Sequence, residues 1–297
     1  MSKRILLLVV HTGRRAAVAA AHDLGDRLAE AGLTVRVLAD EAKALDCAAA
    51  EIVSPEAAAE GAEIVIALGG DGTLLRAAEL ARAGGAGLIG VNLGHVGFLA
   101  EAERTDLDAI VGRILAKEYT VEERMTLEVT VNRGDQVVAT DWALNDVTVE
   151  KASRERMVDL VVEVDGRPLS RWAGDGAVIA TPTGSTAYAF SAGGPVVWPD
   201  VAAILVVPIS AHALFARPLV VGPDSTVAIE LPIDPAGAIA FCDGRRTIDL
   251  AVQDRLEVRR GSAPIRLVRL SGAAFTDRLV GKFHLPVRGW RGPADEN

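Results

Sequence analysis

The sequence predicts an α/β domain followed by a mainly β domain, on three observations. Through the first 120 residues, short apolar runs alternate with helical patterns, which implies a mostly parallel sheet covered by helices. Near Thr120 the pattern changes to period-two alternation broken by tight turns, the signature of antiparallel hairpins. The chain has 297 residues, 50% of them hydrophobic and 24% charged, which is length enough for one large or two ordinary domains with their own cores.

Taken in order, "RILLLVV" reads as a buried strand, "RRAAVAAAHDLGDRLAEAG" as an alanine-rich helix closed by Gly32, and "LTVRVLA" as a second strand. Residues 40–60 are an alanine-rich connection with no resolvable period. "IVIAL" (64–68) is a strand that runs into Gly69-Gly70, followed by a helix from Leu74 to Arg82 and the strand "AGLIGVNLG". "TDLDAIVGRILAKEY" is a helix with Thr105 as its cap and positions 107, 110, 111, 114 and 115 forming one apolar face. Beyond Thr120, "RMTLEVTVNRGDQVVATDWALNDVTVE" turns at "NRGD", and "MVDLVVEVDGRPLSRW" turns at "DGRP". Short strands continue to "PIRLVRLSG", with helical periodicity only around Ser185 to Ser191. The expected division is 1–120, 121–275 and a C-terminal segment, 276–297, that is helical or folds back on the first domain.

Composition excludes several function classes. A formal net charge of -9 disfavours a general nucleic-acid or anionic-membrane surface, while leaving room for a local basic pocket. The only cysteines, Cys47 and Cys242, form no disulfide framework, which points to a reducing compartment. The apolar run after the basic start is too short for a secretory signal, and no apolar stretch approaches the ~20 residues that span a bilayer. A cytoplasmic protein is expected, with no membrane or nucleic-acid partner.

The chemistry concentrates in three places. In "GGDGT", Gly69, Gly70, Gly72 and Thr73 form a phosphate-loop candidate, a glycine turn feeding a helix N-terminus, where free N–H groups and the helix dipole favour an anion. The Lys-Ser/Thr ending of a P-loop is missing, and Asp71 occupies the place of the anion. Asp71 is a helix N-cap or a reacting group, with Arg76 one turn on to answer a phosphate or Asp71 itself. "VNLGHVGFL" is a second glycine-rich strand end, carrying His95 and Phe98. In "ALNDVTVEK", Asn145 and Asp146 interrupt an alternating strand; they form a bulge, or they hold sugar hydroxyls, since an amide donates and accepts and a carboxylate accepts twice. "GDGAVIATPTGSTAYAFSAGGPVV" delivers Thr181, Thr183, Ser185, Thr186 and Tyr188 behind a buried strand that follows Asp175; so dense a polar cluster needs partners. The five histidines show no metal-binding spacing and no Cys-His cluster exists, so no metal ligand is assigned by motif. No GxSxG elbow occurs, and a standard GxGxxG dinucleotide fingerprint, one that follows a strand and opens a helix, is absent.

With "GGDGT", "GVNLGHVGFL", "LNDV", "DG" before "TPTGSTAYAFSAGGP", and "VPISAHALFARPLV" in this order, the chain resembles the NAD kinases, which use ATP or polyphosphate to phosphorylate NAD to NADP. The last block resembles actinobacterial members. GGDG alone is shared with diacylglycerol-kinase-like and phosphofructokinase enzymes, whereas the "TPTGSTAY" block is far more specific. The resemblance implies a Rossmann-like α/β first domain, a β-sandwich second domain, a homo-oligomer (dimer or tetramer) and a divalent cation, Mg²⁺. It further implies that Asp71 and Gly72 contact the NAD phosphate and ribose region, with Asp71 accepting a proton. It places Asn145 and Asp146 on NAD hydroxyls and Asp175 on the nicotinamide side. Thr186, Ala187, Tyr188, Ala189, Phe190 and Ser191 belong to the adenine side, and Ser185, Phe98, Arg76 and Arg156 are further ligand contacts. One departure stands out: the family pair is commonly Asn-Glu, and Asp146 is shorter by one methylene, about 1.5 Å. The alternatives are a lipid or sugar kinase using the same GGDG loop, and a non-catalytic NAD(P)-binding sensor.

Overall fold

The computed structural model describes residues 3–45, 47, 49–92, 102–103, 107–232, 237–270 and 274–287. The chain divides into two units, one made of residues up to Glu123 and from Ile265 onward, the other of Arg124–Pro264.

The first unit is built on β1 (Ile5–Val10), α1 (Arg15–Glu30), β2 (Thr34–Leu38), α2 (Ala39–Leu45), β3 (Glu51–Val53), β4 (Ile64–Leu68), α3 (Asp71–Gly84), β5 (Gly87–Asn92), β6 (Ala102–Glu103), α4 (Leu107–Ala116) and β7 (Thr120–Arg124). Strands β3-β2-β1-β4-β5 lie side by side and parallel. All five residues of β4 are buried, as are the last five of β1, which suits strands covered on both faces. Helix α1 packs through Ala17, Ala20, Ala21, Leu24 and Leu28, the three alanines allowing close approach and the two leucines filling the core. The unreadable stretch 40–60 holds α2 and β3. Helix α4 buries Ile110, Val111 and Ile114, as its periodicity predicts, while Leu115 stays exposed and the proposed cap Thr105 lies outside the described residues.

The second unit contains β8 (Leu127–Arg133), β9 (Gln136–Ala143), β10 (Asp146–Lys151), β11 (Val158–Val164), β12 (Arg167–Gly174), β13 (Gly176–Ala180), a 3₁₀ turn at Gly184–Thr186, α5 (Tyr188–Ser191), β14 (Ile204–Ile209), β15 (Leu219–Val221), β16 (Val227–Glu230), β17 (Ala238–Cys242), β18 (Arg246–Leu250) and β19 (Asp254–Arg260). Two antiparallel sheets result, β12-β11-β16-β19-β8-β9 and β15-β14-β13-β10-β17-β18. Their inner faces share one core that includes Leu127, Val129, Val147, Val149, Trp172, Val206 and Leu256, the expected sandwich. The β11–β12 turn places Asp165 and Gly166 both at positive φ (53° and 73°), the type I′ geometry that Asp-Gly favours.

Two expectations fail at the unit boundary. The strand inside "PIRLVRLSG", β20 (Ile265–Arg269), does not join the sandwich. It pairs parallel to β5 and lies between β5 and β7 in the first sheet. Residues 121–123 and 265–275, assigned to the second domain, therefore belong to the first unit. A buried parallel strand and a sandwich strand share one apolar pattern; long-range pairing decides between them. The chain ends its described part in α6 (Phe275–Phe283).

Candidate functional site

In the first unit the strand order reverses beside β1, since β2 and β3 lie on one side and β4 and β5 on the other. The loops leaving the carboxyl ends of β1 and β4 thus flank a topological switch point, where open α/β sheets bind ligands. His11 N–H donates to Leu68 O at 3.0 Å, tying the two loops together. The Arg14 guanidinium reaches Gly70, its Nη1 3.9 Å from where a Cβ there would stand.

Helix α3 begins earlier than its apolar pattern suggests. Gly70 is the N-cap, in extended conformation, and its carbonyl accepts from the N–H groups of Thr73 and Leu74. Asp71 is therefore the first helical residue and not the cap, with its side chain exposed. Gly72 is exposed as well, and nothing lies within 4 Å of a Cβ built on it. A carboxylate in the first turn sits at the positive end of the helix dipole.

Arg76 does something else. Its guanidinium pairs with the carboxylate of Glu41 and donates to Val10 O at 3.0 Å. Glu41 is 1% exposed and accepts from Val10 N–H at 2.9 Å. Burial raises its pKa above the ordinary carboxylate value and Arg76 opposes that rise. Arg76 thus braces the end of β1 instead of answering Asp71. Phe98 and His95, in the second glycine segment, lie outside the described residues.

The second unit presents a cavity of about 340 Å³. Asn145, Asp146, Thr148 and Glu150 line it from the start of β10, Ala187 and Tyr188 from the loop after β13, and Phe241, Asp243 and Gly244 from the β17–β18 turn. Antiparallel pairing sets this convergence. Asp146 faces Ala180 across β13, so the loop leaving β13 returns over the Asn145–Asp146 pair. Thr181 N–H donates to Asn145 O at 2.9 Å, and the two residues are no bulge: Asp146 opens a regular strand.

Asp146 is 5% exposed. Burial, then the negative charge of Asp243, pushes its pKa up to about 7, against one stabilising bond from the Tyr188 N–H. Asp243 is also raised, first by burial, but its carboxylate accepts from the N–H groups of Leu144 (3.0 Å) and Asn145 (2.7 Å) and faces Arg246 at 3.4 Å. Asp243 thus has more donors holding its charge than Asp146 has. The Tyr188 hydroxyl bonds Glu150, whose Oε1 also accepts from Thr148 Oγ1 at 3.1 Å. Three carboxylates and an amide make a wall of acceptors, suited to hydroxyl and amino groups and hostile to a phosphate.

The hydroxyl-rich loop divides by role. Thr181 Oγ1 donates to Leu144 O (2.6 Å) and accepts from Gly184 N–H (3.0 Å). Ser185 Oγ donates to Pro182 O (2.7 Å) and accepts from Val197 N–H (2.9 Å). Both are buried braces, so Ser185 has no hydroxyl left for a ligand. Ala189, expected in the adenine pocket, is instead 0% exposed in a cluster with Val178, Ala180, Leu205 and Val207; it anchors α5 to the outer face of β13 and β14. That anchoring leaves Tyr188 and Phe190 partly exposed on either side of it. Thr186 Oγ1 donates to Thr183 O at 3.3 Å, and Ser191 is exposed at the end of α5.

Asp175 is not among the residues lining the cavity. It holds Lys151 Nζ at 2.5 Å, and bonds from Lys151 and Ser210 lower its pKa. Arg156 is exposed in the loop between β10 and β11. The sequence reasoning missed Asp243, Glu150, Thr148 and Phe241. Asp243 carried a signal, an Asp-Gly pair between two apolar runs, but that pair reads first as a hairpin turn. Among the described residues, no three His, Cys, Asp or Glu side chains converge on a metal site.

Residues 6–119 match the family described as the ATP-NAD kinase N-terminal domain, and residues 144–270 the ATP-NAD kinase C-terminal domain. The NAD kinase of Thermobifida fusca is 55% identical over 305 residues, covering 99% of this chain and 94% of that protein. NAD kinase 2 of Streptomyces coelicolor is 57% identical over 293 residues, covering 97% of each. Among solved structures, yeast NADH kinase complexed with NADH superposes with a TM-score of 0.86 at 22% identity, covering 96% of this chain and 88% of that one. An NAD kinase from Archaeoglobus fulgidus in complex with ATP gives 0.71 at 24% identity, covering 95% and 99%. These two structures bear on the fold alone.

Proposed function

This chain belongs to the NAD kinase family, and from that premise we propose how its own residues carry phosphoryl transfer to NAD. It is an NAD kinase, forming NADP by phosphorylating the adenosine 2′-hydroxyl of NAD. The match through residues 144–270 replaces the lipid- or sugar-kinase reading of the GGDG loop. The observation that carries the residue roles is the buried Asn145–Asp146 pair at the wall of an acceptor-rich cavity.

NAD lies in that cavity, with hydroxyls donating to Asp146 and the adenosine end against Ala187 and Tyr188. Asp71 accepts the proton that the 2′-hydroxyl releases as it attacks the donor's terminal phosphorus, displacing ADP or the shortened polyphosphate. Phosphoryl transfer is mostly positioning and electrostatic stabilisation, with an aspartate commonly taking the hydroxyl proton. The glycine turn before α3 supplies N–H groups to the donor, which is ATP or polyphosphate, and the Arg14 guanidinium reaches that turn. Mg²⁺ would neutralise donor charge. Among the described residues no group of three or more His, Cys, Asp or Glu is placed to hold it; the donor's phosphate oxygens would be its main ligands, and no step here is assigned to it. A homo-oligomer is proposed on the family resemblance and on the apolar surface exposed at Leu214, Phe215 and Val220; light scattering should return a dimer or tetramer mass. A cytoplasmic location follows the cysteine usage; no helix among the described residues is long and apolar enough to cross a membrane.

One assay matrix tests the activity: NAD and NADH against ATP and polyphosphate, read as 2′-phosphorylated product. The site is tested by Asp146→Ala, expected to weaken NAD binding by roughly 1.5–3 kcal/mol, as for a hydrogen bond to a charged group, with donor affinity little changed. Hydroxyl donors prefer the ionised carboxylate, so wild-type NAD affinity should rise with pH through about 7, and Asp146→Ala should flatten that rise. Calorimetry showing unchanged affinity in Asp146→Ala would return Asp146 to a purely structural place in β10.

A further inference from the structure

We propose that Asp243 is a positioning residue for NAD: its carboxylate gathers the consecutive amides of Leu144, Asn145 and Asp146, and so fixes where the Asn145 and Asp146 side chains meet the ligand. Its oxygens accept from Leu144 N–H at 3.0 Å and Asn145 N–H at 2.7 Å, and the Asp146 N–H turns toward the same carboxylate. In return, Asp243 N–H donates to Asp146 O at 2.9 Å. Three successive amides aimed at one carboxylate leave that backbone little freedom, because bonds to an ionised acceptor are about twice as strong as neutral ones.

The clamp is itself held. Asp243 sits at φ 55°, a left-handed conformation that an aspartate tolerates but that is uncommon outside glycine. Behind it, Arg246 pairs with Asp243 at 3.4 Å and with Asp141 at 2.9 Å, donates to Trp142 O at 2.5 Å and lies over the Trp142 ring, 5.0 Å from its centre. Asp243 also lines the cavity, so the residue that orders the backbone is part of the wall. Charged and titratable groups facing it are Asp146 on β10, Cys242 on β17 and Arg246 on β18, which also holds Asp141 of β9; Glu150 and Tyr188 line the same cavity.

Asp243 has this role only if the cavity is the NAD site, as proposed above, and the experiment separates the two claims. In the full chain, Asp243→Asn should raise KM for NAD about tenfold, the order expected for exchanging a charged acceptor for a neutral one. The kcat should stay within about twofold and KM for ATP should be unchanged. The acid limb of kcat/KM for NAD should move to lower pH, because the negative charge that helps hold the Asp146 proton is gone. A brace with no bearing on ligand would lower thermal stability and leave both readouts in place, and that result overturns the proposal. If Asp243→Asn does not accumulate as folded protein, Arg246→Gln decides instead: it removes the outer support of Asp243 without lining the cavity. It should raise KM for NAD at least about threefold with kcat retained, and an unchanged KM overturns the proposal. Unaltered NAD affinity in Asp146→Ala is the separate result that would remove the NAD site itself.

Discussion

Asp71→Asn is expected to lower kcat by about 10²–10⁴, the usual worth of positioned proton transfer, while NAD affinity and folding stay close to wild type. Asn keeps the size of Asp but accepts no proton at neutral pH. The structure makes this substitution more informative than a cap mutation would be. Gly70 is the N-cap, and no side-chain capping bond is made at this helix start, so the new amide has no cap to preserve or break. What the helix loses is one negative charge in its first turn, worth about 0.3–1 kcal/mol at an exposed position. A small drop in melting temperature with a large drop in kcat is therefore the signature of the base. Activity that recovers at high Mg²⁺ would assign Asp71 to metal binding instead. Near-normal turnover would leave it with neither role.

Gly184→Ala should be severely damaging to the second unit. A Cβ at Gly184 would stand 2.0 Å from the carbonyl oxygen of Asn145 and 2.4 Å from its carbonyl carbon. Both are backbone atoms, so no rotamer change relieves the contact. Thr181 N–H already holds the same carbonyl, which prevents it from swinging away. The loop must lift off β10, at a cost of about 3 kcal/mol, the upper range for overpacking. It would carry Ala187 and the Tyr188 N–H away from Asp146. A displacement of ~1 Å in a binding constellation can cost about 10²-fold, so NAD affinity should fall by that order in calorimetry. Gly72→Ala is the contrasting control. Nothing lies within 4 Å of its Cβ, so the protein should melt normally, and any activity lost would report crowding of the ligand and not of the chain.

The backbone of both units was largely legible because hydrophobic period and turn chemistry act locally. The runs at β1 and β4, the α4 face and the Asp165-Gly166 turn all form where their patterns place them. Stretch 40–60 was not legible, since alanine satisfies a helix without marking a face, and α2 and β3 are short. In the site, residue type announced hydroxyls and carboxylates but not their partners. Thr181 and Ser185 turn inward, Arg76 finds Glu41, and Ala189 serves as an anchor. Asp243 lies 98 residues from the Asn145 amide it holds. Such distances are set by strand register, which a one-dimensional pattern does not contain.

The return of β20 to the first sheet has a consequence for synthesis. The ribosome releases β1 to β7 first, but the strand that separates β5 from β7 arrives only after the entire sandwich has been made. Until then β7 has no neighbour on its β5 side, and β5, paired with β6 only at Val91 and Asn92, lacks its partner at Gly87 and Leu88, an open edge prone to wrong pairing. Arg124–Pro264, by contrast, is one uninterrupted length of chain and can complete its own sheets as it emerges. The order of birth and the order of completion are thus inverted: the unit whose strands emerge first gains the strand between β5 and β7 only after the other unit has been made.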